Sequence, residues 1–82
     1  MKGRVKMAHE VYRAIVGAVR RGLLREPFSK QDFRTACPAF GNGTYNAFLD
    51  KHRSGDPGGN SELFERVAPD QFKCSRPFRY KV

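Results

Sequence analysis

Apolar residues recur at helical spacing near the start of the chain: Val11, Ile15, Ala18, Val19, Gly22 and Leu23 line one face, and Arg13, Arg20 and Arg21 lie off it. The pattern predicts a first helix over 9–24. The link "REPF" follows, where Pro27 does not continue the helix and Phe28 is expected to point inward. Ser29 and Asp32 then form a capping box in its Asp form, with Phe28 and Phe33 in the flanking apolar positions of a hydrophobic staple. A second helix therefore begins at Lys30. It lasts about two turns, "KQDFRTAC", because Pro38 biases Cys37 away from helical geometry. After "PAFGN" a third helix follows. Tyr45, Phe48, Leu49 and His52 fall on one of its faces and Gly43, Asn46, Ala47, Asp50 and Ser54 on the other, with Asn42 or Thr44 as N-cap.

The period then changes. "SGDPGGNS" reads as a flexible loop, and in "ELFERVAPDQFKCS" Leu63, Glu65 and Val67 alternate with Phe64, Arg66 and Ala68. "APDQ" places Pro69 at the second position of a type I turn, after which Phe72 and Cys74 resume the alternation as the second strand of a hairpin. The expected fold class is α+β, a three-helix helix-turn-helix core followed by a β-hairpin wing. A basic arm over 1–7 and a basic tail over 76–82 flank a domain over 8–75.

This order of elements resembles the winged helix-turn-helix superfamily. "HRSGDPGGNSELFERVAPDQFK" is similar to the tail of small prokaryotic winged-helix modules that end in a Phe-x-Arg-Val strand and a short wing, and the likeness covers 8–74. The resemblance implies a helix docked in the DNA major groove, a wing near the sugar-phosphate backbone, and often a homodimer on a two-fold site. Carried onto this chain, the recognition helix is 43–53 and the wing tip 68–71. The tip holds Pro69 and Asp70 without Lys or Arg, and Asp50 sits near the centre of the reading face.

Charge adds a partner. Sixteen Lys and Arg against eight Asp and Glu give +8, a density suited to a polyanion. It is unevenly spread, at +6 over 1–34, −2 over 35–65 and +4 over 66–82. Phosphate contacts are therefore expected from Lys2, Arg4, Lys6, Arg76, Arg79 and Lys81 at the ends, with support from Lys30 and Arg34 on the second helix. On the third, Asn46 suits an adenine edge, Thr44 a thymine methyl or a phosphate, and Lys51 or Arg53 a guanine or a phosphate. Neutralising about six phosphates gives a log–log salt slope of roughly −5.

Other chemistries find little support. The 82 residues with 39% hydrophobic content allow one small core, and two dispersed histidines supply no nucleophile-and-base pair, so an enzyme is not expected. Cys37 and Cys74 lack CxxC spacing, which argues against a metal site or disulfide framework and for small buried thiols. No cofactor is expected. "GDPGGNS" lacks the Gly-Lys-Ser/Thr ending of a phosphate loop and leads into a strand. His52 reads as a packed histidine near a helix end. The apolar run of the first helix is broken by Arg13, Gly17 and Arg20, unlike a signal peptide or membrane span, so a cytoplasmic protein is expected. The function expected is double-stranded DNA binding, as a small transcriptional regulator or accessory module. The alternative is a protein-interaction or RNA-binding winged helix, favoured by the negative middle segment. A monomer is expected, since the first helix has no second apolar face.

Overall fold

The structure, a computed structural model, describes residues 2–55, 58 and 60–80, with side chains from His9 onward. Its elements are α1 (Lys2–Arg20), α2 (Lys30–Ala36), α3 (Asn42–Lys51), β1 (Phe64–Ala68) and β2 (Gln71–Cys74). Three helices and an antiparallel hairpin make an α+β fold of the helix-turn-helix-plus-wing arrangement that the hydrophobic pattern predicts. No described helix is long and apolar enough to cross a membrane.

α1 differs from expectation at both ends. It begins at Lys2, so the segment read as an arm over 1–7 is helical from its second residue. Lys, Arg, Met and Ala in that stretch are good helix formers, whereas the apolar stripe from which the helix was read begins only at Val11. At its other end α1 stops at Arg20. The Gly22 N–H donates to the Val19 carbonyl at 3.1 Å and the Leu23 N–H to the Ala18 carbonyl at 2.9 Å, the bond pair of a Schellman motif. Gly22 stands at φ 77, which only glycine adopts without a Cβ penalty. The reversal throws Leu23 outward, 63% exposed, and turns Leu24 into the core, so Leu23 does not continue the buried stripe.

α2 begins as predicted. The Ser29 hydroxyl accepts from the Asp32 N–H and the Asp32 carboxylate accepts from the Ser29 N–H, both at 3.0 Å. Phe28 and Phe33 are both fully buried. The turn into α3 is held by Tyr45, whose hydroxyl donates to the Cys37 carbonyl and accepts from the Phe40 N–H at 3.0 Å. The α3 N-cap is Gly41 without a side-chain bond, not Asn42 or Thr44, because the helix starts one residue earlier than its apolar face suggests. Tyr45, Phe48, Leu49 and His52 are buried together, as their spacing requires.

In the hairpin, Phe64 pairs with Cys74 and Arg66 with Phe72, and a bulge at Val67 precedes the Ala68–Gln71 pair. The alternation expected for β1 is absent. Leu63 and Phe64 are buried and Glu65–Ala68 exposed, because beyond Phe64 the hairpin meets the body through Phe72 of β2, which pairs with Phe28, and β1 is left on the outer edge. β2 keeps the alternation, with Phe72 and Cys74 inward and Lys73 outward. Asp70 stands at φ 54, so the turn is not type I; a positive φ at the third residue is the mark of type II.

The hairpin is stitched to the helices along both edges. Phe28 and Phe72 exchange both backbone hydrogen bonds at 2.8 Å, and the Ser54 N–H donates to the Phe64 carbonyl at 2.8 Å. Phe64 is the meeting point of the core. Its ring lies 6.0 Å from Tyr12 of α1, 5.9 Å from Phe48 of α3 and 6.4 Å from Phe28, all near edge-to-face. Phe64→Ala is therefore expected to cost about 3–5 kcal/mol in urea unfolding, whereas Leu23→Ala stays within about 0.5 kcal/mol.

Candidate nucleic-acid interface

The face of α3 opposite the core is open. Asn42, Gly43, Asn46, Ala47 and Lys51 are exposed and Thr44 is half-buried, while the opposite face is locked into the core. Asn46 and Lys51 have no side-chain hydrogen bond or ion pair among the described residues. Their donors and acceptors face solvent.

Asp50 belongs to a charged joint. Its carboxylate lies 2.8 Å from Lys30 Nζ and 3.8 Å from Arg53 Nε, so two cations of α2 and the α3 exit surround one anion. The Asp70 carboxylate accepts from the Lys30 N–H at 3.0 Å, satisfying an N-terminal donor of α2 that the capping box leaves open. Both acids that look out of place in a DNA-reading segment thus have structural partners. An open cleft of about 450 Å³ lies between them, lined by Lys30, Asp50, Arg53, Arg66, Asp70 and Phe72. Its charge is three cations against two anions.

The other candidate residues are dispersed. Arg34 lays its guanidinium over the Tyr45 ring at 4.6 Å, so it covers the helix-turn-helix turn from outside. Lys2, Arg4 and Lys6 lie in α1 with side chains outside the described set, and Lys81 is outside the described residues. Arg76 is committed: it makes a bidentate pair with Glu26 at 2.7 and 3.1 Å and donates to the Cys74 carbonyl at 2.8 Å. Arg79 is exposed, and its N–H donates to the Tyr12 hydroxyl at 2.9 Å. The tail therefore lies along the body as far as Tyr80.

Sequence reasoning missed Glu26 altogether. An acid inside a link between helices carries no periodic signal, and its partner is 50 residues away. Burial raises the Glu26 carboxyl, but the Arg76 guanidinium and the Cys74 N–H outweigh it and hold its pKa below 4.5. Glu26 in turn holds the Arg76 guanidinium up. Burial, with the nearby Glu26 charge, pushes the Cys74 thiol up to about 12. Burial also raises Cys37, and both thiols are protonated and enclosed at neutral pH. The Tyr12 hydroxyl is raised by burial against the opposing Arg79 N–H. His52 is a satisfied core residue, its Nδ1 2.9 Å from the Ser61 carbonyl, which only accepts and so fixes the hydrogen on Nδ1.

A carboxyl with a lowered folded pKa stabilises the protein above its unfolded value and loses that contribution as acid titrates it. Urea midpoints of the wild type are accordingly expected to fall as pH drops from 4.5 through the lowered Glu26 value. Glu26→Gln is expected to start from a lower midpoint at pH 7 and to flatten that acid limb. Comparison of the chain with protein families, with curated proteins and with solved structures gives no match.

Proposed function

We propose that the chain is a double-stranded DNA-binding winged-helix module that sets α3 at the major groove. The observation that carries this reading is the exposed and unpartnered pair Asn46 and Lys51 on a helix whose other face is fixed in the core. A side chain with unused donors on a rigid support suits base-edge recognition, since the backbone that carries it is already ordered and only the side chain itself is fixed on binding. Asn46 takes an adenine edge, Lys51 a guanine or a phosphate, and Thr44 a methyl or a phosphate at the helix start. Asp50 does not oppose this: paired with Lys30 and Arg53, it belongs to a net-positive joint at the end of the reading helix. Arg66 lines the same cleft as Lys30 and Arg53 and adds to its positive charge, and Arg34 lies over Tyr45 at the turn before α3.

The test is titration of labelled mixed-sequence duplex at two salt concentrations, with amide shifts mapped. Shifts are expected at 42–51, with a log–log salt slope of about −3 to −5. Absence of binding at low salt, or shifts that spare α3, overturns the proposal. Asn46→Ala is expected to remove about 1–3 kcal/mol of discrimination at one base pair in binding to sequence variants of a selected site. Asp50→Asn releases Lys30 and Arg53 for phosphate. It is expected to tighten duplex binding and to steepen the salt slope by about 1–2.

A further inference from the structure

A second surface combines aromatic rings with guanidinium groups, and none of its residues lines the cleft between α3 and the wing. After β2 the chain turns back along α1. Two guanidiniums lie over the Phe78 ring, Arg20 at 4.8 Å and Arg76 at 4.3 Å from its centroid. The Tyr80 ring lies 4.0 Å from that of His9, tilted by 50°, and meets Tyr12 edge-on at 5.6 Å. Its hydroxyl donates to Ser61 Oγ at 3.2 Å. Tyr80 is nonetheless 41% exposed, and it stands at φ 59, a backbone conformation rare for a bulky aromatic residue.

The helix continues this surface. His9, Arg13 and Gly17 follow one another at steps of four and Arg20 lies seven beyond Arg13, so they share one face of α1. Arg13 and Arg79 are exposed and make no ion pair or side-chain hydrogen bond among the described residues. Glu26 is taken up by Arg76, which leaves Glu10 as the exposed acid of this stretch of α1. An open ring beside unpaired guanidiniums is the arrangement that receives an unpaired base and its phosphates. A duplex offers no free base face to such a ring.

We propose that this face of α1 and the tail binds single-stranded nucleic acid. Bases stack on Tyr80 and His9, and Arg13, Arg20 and Arg79 take the phosphates. This does not depend on α3 reading a duplex.

The experiment is anisotropy titration of fluorescein-labelled oligothymidylate of about ten nucleotides into the full chain, with a mixed-sequence duplex measured in parallel. Tyr80→Ala is expected to weaken strand binding by about ten-fold, and Tyr80→Phe, which keeps the ring, to bind as the wild type does. Arg79→Gln leaves the backbone bond to Tyr12 in place, so it tests the surface in a folded chain even if Tyr80→Ala unfolds. It is expected to reduce the steepness of the strand's log–log salt slope by about 0.7. Duplex affinity is expected to be unchanged in the Tyr80 variants. The proposal is overturned if the wild type does not bind the strand, if Arg79→Gln leaves the slope unchanged, or if Tyr80→Phe loses as much as a folded Tyr80→Ala. A folded Tyr80→Ala that binds the strand as the wild type does, or that weakens strand and duplex alike, overturns it too. Duplex binding without strand binding sinks this inference alone, and the reverse sinks the duplex reading alone.

Discussion

The packing around Phe64 is the constraint on which the other elements depend. A chain of this length has one core, and Phe64 brings α1, α3 and the link before α2 to a single ring through Tyr12, Phe48 and Phe28. Its backbone is engaged as well, accepting from Ser54 and donating to His52. The hairpin is therefore part of the core through both strands at its base, and beyond it through Phe72 of β2 alone, with β1 on the outer edge. That transition explains why both Leu63 and Phe64 are buried while the four residues after them are exposed.

The start of α2 is a second junction, built from polar contacts. Ser29 and Asp32 satisfy each other's N–H groups locally, Asp70 arrives from the wing to take the Lys30 N–H, and the Lys30 ammonium pairs with Asp50 of α3. Two helices and the wing turn are thus registered at one residue. The pair is part-exposed, with side-chain exposures of 34% and 45%, so its contribution to stability is small. Its larger effect is on charge, because a carboxylate that would repel phosphate is held between two cations.

The tail creates a separate surface. Arg76 is held by Glu26, Phe78 sits under Arg20, and Tyr80 rests on His9 and Tyr12. The positive charge concentrated at the chain ends is therefore not carried on free arms over the described residues. Through these contacts part of it forms a fixed face with aromatic rings set among the arginines.

Some of this was legible in the sequence for identifiable reasons. The capping box, the Val11, Ile15 and Ala18 part of the buried face of α1, the buried face of α3, the two-turn α2 and the hairpin all arise from residues a few positions apart, where periodicity and local hydrogen bonds decide the backbone, whereas Tyr12 and Val16, also buried, lay off the predicted stripe. The candidate reading face of α3 followed from the same periodicity. What the sequence left open depends on partners distant in the chain. Asp50 and Asp70 read as anomalies until Lys30 is placed beside both, Glu26 has no visible role without Arg76, and the tail reads as an arm until Tyr12 and His9 receive it. Leu23 and Leu24 show the same limit at short range, since the left-handed Gly22 reverses which of them faces inward. By itself the sequence determined the elements, because local backbone preference and the burial of one apolar face are set by near neighbours. Only the tertiary structure decided which charges are neutralised and which remain open, because ion pairs form between whatever side chains the packing of the core brings together.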